Sequence, residues 1–335
     1  MKITRYTREA RRSYRSRILH FLRENGPHSR TELTAALKLP RATAALLFTE
    51  LIEQGILSEQ EETFPEVQPY SRGRRKVPVG LNENYRLACG LVLERGRGFL
   101  GLTNLAGQTV DRETILYTEP SYRTVLSEML KGLEALKKRN CLSNERILAV
   151  GICMGSSASG LVEGSSLEEK LQRLRRDLAR VLPHPVAVCS TVEGAAEAQA
   201  VFRQSPSDFV LLRDAKEVGG GRMDLESCLR VAGRIYAGSR KQAGGFAWLF
   251  GQGHPETDFC QRVAEAVRTI SRITDIPAVY GIGGFFEDHQ LMGRVNQILN
   301  DWGEKGVQEG IVQEDQRCLA PCAAAVSAYF YGNSE

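Results

Sequence analysis

The sequence predicts an α/β protein in which a small helical domain precedes a larger domain built of two halves. Residues 1–80 combine helical periodicity with two basic clusters, and residues 81–204 follow the order β-β-β-α-β-α-β-α. Residues 205–317 alternate strands and helices in a similar but looser way. We expect a C-terminal helix at 318–331 to return to the first half.

The composition is that of an ordinary globular protein. Of the 335 residues, 42% are hydrophobic and 25% are charged. No apolar run approaches the roughly 18 residues of a membrane span, and the N-terminus lacks the apolar core of a signal peptide. We therefore expect a cytoplasmic protein with no membrane partner. The eight cysteines are scattered through apolar stretches, as reduced thiols are, and their spacing does not favour a zinc site.

Positive charge is concentrated at the N-terminus. Residues 1–76 hold 15 of the 44 Lys and Arg residues but only 9 of the 40 Asp and Glu residues, an excess of +6 that leaves −2 for the remainder. The densest clusters are KITRYTREARRSYRSR, with seven cations, and RGRRK at 72–76. Basic clusters that flank a small domain are typical of nucleic-acid binding, although a solvated tail and linker would have the same composition.

Three helices and a ribbon are predicted between these clusters. YRSRILHFLRENG ends at a glycine, and Ser29 with Glu32 forms a capping-box pattern before a second, short helix. A third helix begins after Pro40 and stops at Gly55, and residues 56–81 then form a two-stranded ribbon. This order is that of a winged helix-turn-helix, although any small three-helix bundle shares part of it.

A winged helix places its third helix in the major groove and its ribbon along the phosphates. Arg41 is suited to bidentate contact with guanine, and Thr43 or Ala44 to contact with a thymine methyl. The alternative is that this helix is mostly core, with Ala44, Leu47, Leu51 and Ile52 packed inside. Basic side chains elsewhere would position the protein on the phosphates. The residues predicted to contact DNA are Arg30, Arg41, Thr43, Ala44, Thr49, Arg72, Arg74, Arg75 and Lys76.

The larger domain has the element order of the actin-like, ribonuclease-H-like ATPase fold. Its strand VAVCS runs directly into the helical segment TVEGAAEA. Chemistry in open α/β sheets collects beyond the carboxyl ends of strands. At that junction the chain has Ser190 and Thr191, with no adjacent carboxylate. A hydroxyl has a pKa far above 7 and does not serve as a general base.

Several segments together resemble the ROK family (repressor, open reading frame, kinase) of the xylose-repressor type, from about Tyr14 to Phe330. They are YRSRILHFLRENGPHSRTELTAALKL, RGRRKVPVGLNENYRLACGLVL, NLAGQTV, RILAVGICMGSSASG and PAVYGIGG. The resemblance implies a sugar- or sugar-phosphate-responsive repressor that forms a homodimer or a dimer of dimers. Some members of the family are ATP-dependent sugar kinases.

The positions that carry chemistry in the kinase members of the family are altered in this chain. Val92 stands where the resemblance implies a metal-binding aspartate, and Ser190-Thr191 where it implies an Asn-Asp pair. Gly245 to Trp248 replace a Glu-x-Gly-His motif, and the following loop lacks a pair of close cysteines. Gly283 and Gly284 match the glycine pair on the nucleotide side, whereas the glycine-rich VGGGRM at 218–223 lies before the place of the phosphate-binding turn.

These losses favour a domain that has kept its shape without its chemistry. Unpaired charge is costly to bury, so a domain that no longer binds ATP or hexose is expected to lose its carboxylates. Phe246 and Trp248 would then either fill the old pocket or line one for a more apolar effector. We expect no cofactor and no metal.

Three functions remain open from the sequence. The first is a DNA-binding regulator, most simply a repressor, with an inactive kinase-like domain, a duplex operator as partner and a small-molecule effector of unknown identity. The second is a protein-interaction scaffold, and the third a sugar kinase that uses other residues. The cluster of seven cations in residues 2–17 favours the first over the second.

Overall fold

The computed structural model describes residues 2–60, 77–94, 96–117, 121–203, 205–216, 223–238, 259–311 and 313–332. Its N-terminal part is a winged helix-turn-helix whose three strands form one antiparallel sheet in the order β1-β3-β2. The elements are α1 (Lys2–Asn25), β1 (His28–Ser29), α2 (Arg30–Ala36), α3 (Arg41–Glu53), β2 (Leu57–Glu59) and β3 (Pro78–Leu81).

Two features of this part differ from the sequence prediction. The first helix begins at Lys2, twelve residues before the apolar pattern that predicts it, because the sequence of its first turns is mostly polar and has no apolar periodicity. Strand β1 is too short to show any periodicity, yet it pairs with β3 and adds a third strand to the predicted ribbon. The capping box of α2 is confirmed, since the Ser29 side chain accepts from the Glu32 amide and the Glu32 side chain accepts from the Ser29 amide.

The first half of the larger domain is a five-stranded sheet with the order β6-β5-β4-β7-β8. Strands β4, β5 and β6 form an antiparallel meander, and β7 and β8 run parallel to β4. The elements are β4 (Leu87–Glu94), β5 (Arg97–Thr103), β6 (Thr109–Leu116), α4 (Tyr122–Arg139), β7 (Ile147–Met154), α5 (Leu167–Val181), β8 (Val186–Ser190) and α6 (Thr191–Phe202).

The second half repeats this arrangement with the strand order β11-β10-β9-β12-β13. Strand β9 lies at the centre, antiparallel to β10 and parallel to β12. The elements are β9 (Phe209–Lys216), β10 (Met223–Val231), β11 (Arg234–Ile235), α7 (Phe259–Thr274), β12 (Val279–Ile282), α8 (Gly284–Glu287), α9 (His289–Asp301) and β13 (Gln308–Glu309). Two sheets with this shared order define the actin-like ATPase fold and confirm the predicted fold class.

The C-terminal helix α10 (Gln313–Val326) lies across the sheet of the first half, on three glycines from adjacent strands. Gly90 is the cross-strand partner of both Gly101 and Gly151. A Cβ atom at Gly151 would stand 1.7 Å from the carbonyl oxygen of Pro321, which lies inside α10. The row of glycines therefore allows the helix backbone to approach the sheet directly.

A short segment after α10, Ser327–Tyr331, joins the larger domain to the winged helix. The hydroxyl of Ser16 in α1 donates to the carbonyl oxygen of Tyr331 at 2.8 Å, and the ring of His20 packs on the Tyr331 ring with 5.3 Å between centroids. Arg15 donates to the carbonyl oxygen of Phe330 at 3.3 Å. One continuous apolar core links the two parts.

Candidate functional site

The third helix of the winged-helix domain, α3, has one face in the core and the other exposed. Its buried side is formed by Ala44, Leu47, Phe48 and Leu51, which recur at helical spacing. The exposed residues are Arg41, Ala42, Ala45, Leu46, Thr49, Glu50 and Glu53. This face is the surface that a winged helix offers to the major groove.

The residues predicted to contact bases differ in their exposure. Arg41 and Thr49 are exposed on this face, and Thr43 is half-buried at its edge. Ala44 is only 1% exposed and packs in the core, so its methyl group is not available to a thymine and that prediction is wrong. Leu46 was not among the residues predicted to contact DNA. It is 60% exposed and presents an apolar side chain of the kind that contacts thymine methyl groups.

The basic residues of this region differ in what they contact. Arg30 at the start of α2 is exposed and pairs with Glu59 of β2 at 2.5 Å, which ties the helix to the wing. Arg15 points towards Phe330, and burial lowers the pKa of its guanidinium. It therefore belongs to the domain contact and not to a phosphate-binding surface. Arg72, Arg74, Arg75 and Lys76 lie outside the described residues.

The strand-to-helix junction of β8 and α6 contains a carboxylate after all. Ser190 caps α6, and its amide and its hydroxyl both donate to Oε2 of Glu193 at 2.8 Å. Glu193 thus completes a capping box and is held by groups of its own helix terminus. The expectation that no carboxylate is present here is corrected. The signal was visible, because Ser190 and Glu193 have the same spacing as Ser29 and Glu32.

Val92 and Thr191 occupy positions where a charged side chain would be isolated. Val92 is buried in an apolar cluster with Cys153 and Ala195 between the two sheets. The thiols of Cys153 and Cys189 lie 3.6 Å apart beside it, and this contact together with burial raises the pKa of Cys189 well above its usual range. Thr191 is buried at the first turn of α6. The surroundings of Val92 are therefore apolar, and Val92 itself offers no ligand to a metal ion.

The glycine pair of the second half faces a carboxylate. Gly283 has φ +104°, and a Cβ atom there would stand 1.5 Å from Oδ1 of Asp214, at the end of β9. Oδ2 of Asp214 accepts a hydrogen bond from the amide of Phe285 at 2.8 Å, one residue beyond Gly284. The glycine pair thus accommodates the chain's own carboxylate, which occupies the space beside Gly283. The sequence analysis did not single out Asp214.

The remaining predicted positions lie mostly outside the described residues. These are Gly245, Trp248, His254 and most of the glycine-rich 218–223. Cys260, which follows that stretch, is buried in α7, and burial raises the pKa of its thiol. Within the described ranges, no cluster of three or more His, Cys, Asp or Glu side chains is arranged to hold a metal ion. Among the same residues, no helix is both long enough and apolar enough to span a bilayer.

Known structures resemble this chain in fold at low sequence identity. A ROK family transcriptional regulator described as a homologue of the E. coli MLC protein superposes with a TM-score of 0.70 and 16% identity over 97% of this chain and 98% of that chain. A ROK hexokinase from Thermus thermophilus gives 0.54 and 14% over 73% and 98%. A ROK family protein from Streptococcus pneumoniae in complex with sucrose gives 0.52 and 10% over 72% and 98%.

These likenesses define the class of fold: a winged helix-turn-helix joined to the two-halved ATPase-like domain that ROK regulators and ROK sugar kinases share. The regulator accounts for nearly the whole chain, whereas the hexokinase leaves about a quarter of it uncovered. No protein-family model matches the sequence. No curated protein matches it either.

Proposed function

We propose that the protein is a DNA-binding transcriptional regulator, acting as a repressor, whose sugar-kinase-like domain has no catalytic activity. The observation that supports it best is the exposed face of α3, which carries Arg41 and Thr49 beside a wing and on a domain with excess positive charge. The partner would be a duplex operator in the cytoplasm. A homodimer or a dimer of dimers would place two copies of α3 on two half-sites.

DNA binding is tested with the full chain and duplexes from the region upstream of its own gene. If a dimer neutralises about six phosphates, the logarithm of the affinity should fall with the logarithm of salt concentration with a slope near −5. Fluorescence anisotropy at several salt concentrations measures this slope. A slope indistinguishable from zero would contradict the proposal and favour a protein-interaction scaffold.

Sequence discrimination is tested with Arg41→Ala. Loss of a bidentate contact with guanine should reduce the preference for the best duplex over a scrambled one by ~1–3 kcal/mol. Arg180→Ala is a suitable control, because it removes the same charge from an exposed site on α5. An equal loss of affinity for both duplexes would assign Arg41 to phosphate contact and contradict its role in reading bases.

The absence of catalysis is supported by three features of the site. Val92 is buried among apolar groups, Glu193 is engaged in a capping box, and Asp214 occupies the space next to the glycine pair. Coupled assays with ATP and glucose, N-acetylglucosamine, N-acetylmannosamine, xylose or fructose should therefore show no turnover above background. Turnover that disappears in Glu193→Gln would contradict this and identify Glu193 as the base.

A further inference from the structure

A large cleft lies where the winged helix meets both halves of the larger domain. Its volume is about 1090 Å³, at the upper end of the range typical of ligand sites. One wall is α1, and the other walls are the end of α6, the segment that follows it, the β10–β11 hairpin and the C-terminal Tyr331. It is separate from the strand-to-helix junction at Ser190, which does not line it.

Arginines outnumber carboxylates in the lining of this cleft, although Arg23 pairs with Glu24 at 3.2 Å. Four arginines face it against two glutamates, Glu24 and Glu83. The arginines come from both sides of the domain contact: Arg17 and Arg23 from α1, and Arg230 and Arg234 from the β10–β11 hairpin. Among the described residues, Arg17 donates to the carbonyl oxygen of Leu37 at 2.5 Å, and neither Arg17 nor Arg234 has a carboxylate partner.

Arg230 is the most buried of the four, with 4% of its surface exposed. Its guanidinium pairs with Glu197 of α6 at 2.8 Å and donates to the carbonyl oxygen of Gly233 at 2.6 Å. Its Nε atom, Oε2 of Glu197 and Oε1 of Gln199 have no partner among the described residues. Buried polar atoms are normally paired, and of these three only the Nε atom of Arg230 is a donor that could pair with an anion. Glu197 and Gln199 do not themselves line the cleft.

The imidazole of His20 in α1 also lines this cleft. Burial lowers the pKa of His20, and the charges of Arg23 and Arg230 lower it further. Glu24 opposes this with an effect that is smaller than that of Arg23 but larger than that of Arg230, and the backbone of Tyr331 opposes it least. The lining itself brings cations of both domains to one space, with Arg17 and Arg23 on α1 and Arg230 and Arg234 on the β10–β11 hairpin.

We propose that this cleft binds a small organic anion, a phosphorylated or carboxylated metabolite held by arginines of both domains. Arg17 and Arg23 would hold it from the winged helix, while Arg230 and Arg234 would hold it from the second half. A ligand that contacts both walls would change the affinity of α3 for DNA to the extent that it binds the free and the DNA-bound protein differently. This last step, but not the binding itself, rests on the proposed function.

Binding is tested on the full chain without DNA, by isothermal titration and thermal melting. The probes are 3-phosphoglycerate and citrate, with neutral glycerol as control and the ionic strength held constant. At least one anion should bind saturably with about one equivalent per chain and raise Tm. Arg234→Gln should weaken binding about tenfold or more, because a charge-assisted hydrogen bond is lost. Arg180→Gln, which removes an exposed charge outside the cleft, should leave binding unchanged.

Two results would overturn the anion site. One is the absence of saturable binding by either anion, and the other is an equal loss of affinity in Arg234→Gln and Arg180→Gln.

A second experiment measures DNA affinity with and without the bound anion. Unchanged DNA affinity would overturn the coupling but leave the site. No DNA binding under any condition would overturn the proposed function and would also leave the site.

Discussion

Two histidines of this protein are held in environments that disfavour their charged form. His184 is 7% exposed, and burial followed by the charge of Lys137 lowers its pKa, while Glu134 opposes this. The pKa of the half-buried His20 is lowered in the same way by burial and Arg23. In an unfolded chain both would titrate near pH 6.5. The folded protein is therefore the poorer proton acceptor at these two sites.

The free energy of unfolding should consequently fall as the pH drops through about 6.5, because the unfolded chain then takes up protons that the folded chain resists. His184→Gln should lose part of this decrease, at about 1.4 kcal/mol per unit of pKa difference. Urea unfolding at about pH 7.5 and about pH 5.5 measures it. His289→Gln, at a side chain that is 88% exposed, should behave like the unaltered protein. An identical pH dependence in all three would contradict the assignment to His184.

At the scale of elements, the contact between α10 and the first sheet depends on the glycine row. In Gly151→Ala the new methyl group would meet backbone atoms of Pro321 and Ala325, which cannot rotate away as a side chain can. We expect a loss of about 1–3 kcal/mol or more in unfolding free energy. Gly293→Ala in α9 is the matched control, because nothing lies within 4 Å of its added Cβ, and it should be neutral or slightly stabilising. Equal effects of the two substitutions in denaturant unfolding would contradict a close-packed α10.

Elements with local signals were predictable, and those that depend on distant partners were not. The capping box at Ser29 and the strand-to-helix change at Ser190 follow from a few adjacent residues, and both are present. The role of Gly151 depends on Pro321, 170 residues further along the chain, and no local pattern reveals it. Helical periodicity places Ala44 near the buried face of α3. Only the packing of the folded domain shows that its methyl group is enclosed in the core.

At the scale of the whole molecule, the candidate site of the kinase-like domain is the part whose residues were least completely predicted from the sequence. The altered positions at Val92 and Thr191 were visible in the sequence, and the structure buries both. The capping role of Glu193 follows from its spacing to Ser190, whereas the role of Asp214 depends on its contact with the amide of Phe285, 71 residues further along the chain. The cleft proposed to bind an anion is formed by several regions that are far apart in the chain, so no local pattern in the sequence indicates it.

We expect the protein to bind neither zinc nor hexose, and the resemblance to the ROK family couples the two through one loop. Trp248 stands where that resemblance implies a sugar-binding histidine, and the thiol of Cys260 is buried in α7 with a raised pKa. Since structural zinc usually has four closely held ligands, the purified protein without a histidine tag should hold less than about a tenth of an equivalent of zinc. Millimolar hexoses should leave Tm unchanged, whereas a ligand at a hundred times its Kd would stabilise the fold by ~2.7 kcal/mol. Elemental analysis and thermal melting measure the two quantities. Stoichiometric zinc would contradict the absence of a metal site, and a hexose-dependent rise in Tm that persists in Trp248→His would show that the domain still recognises sugar through other residues.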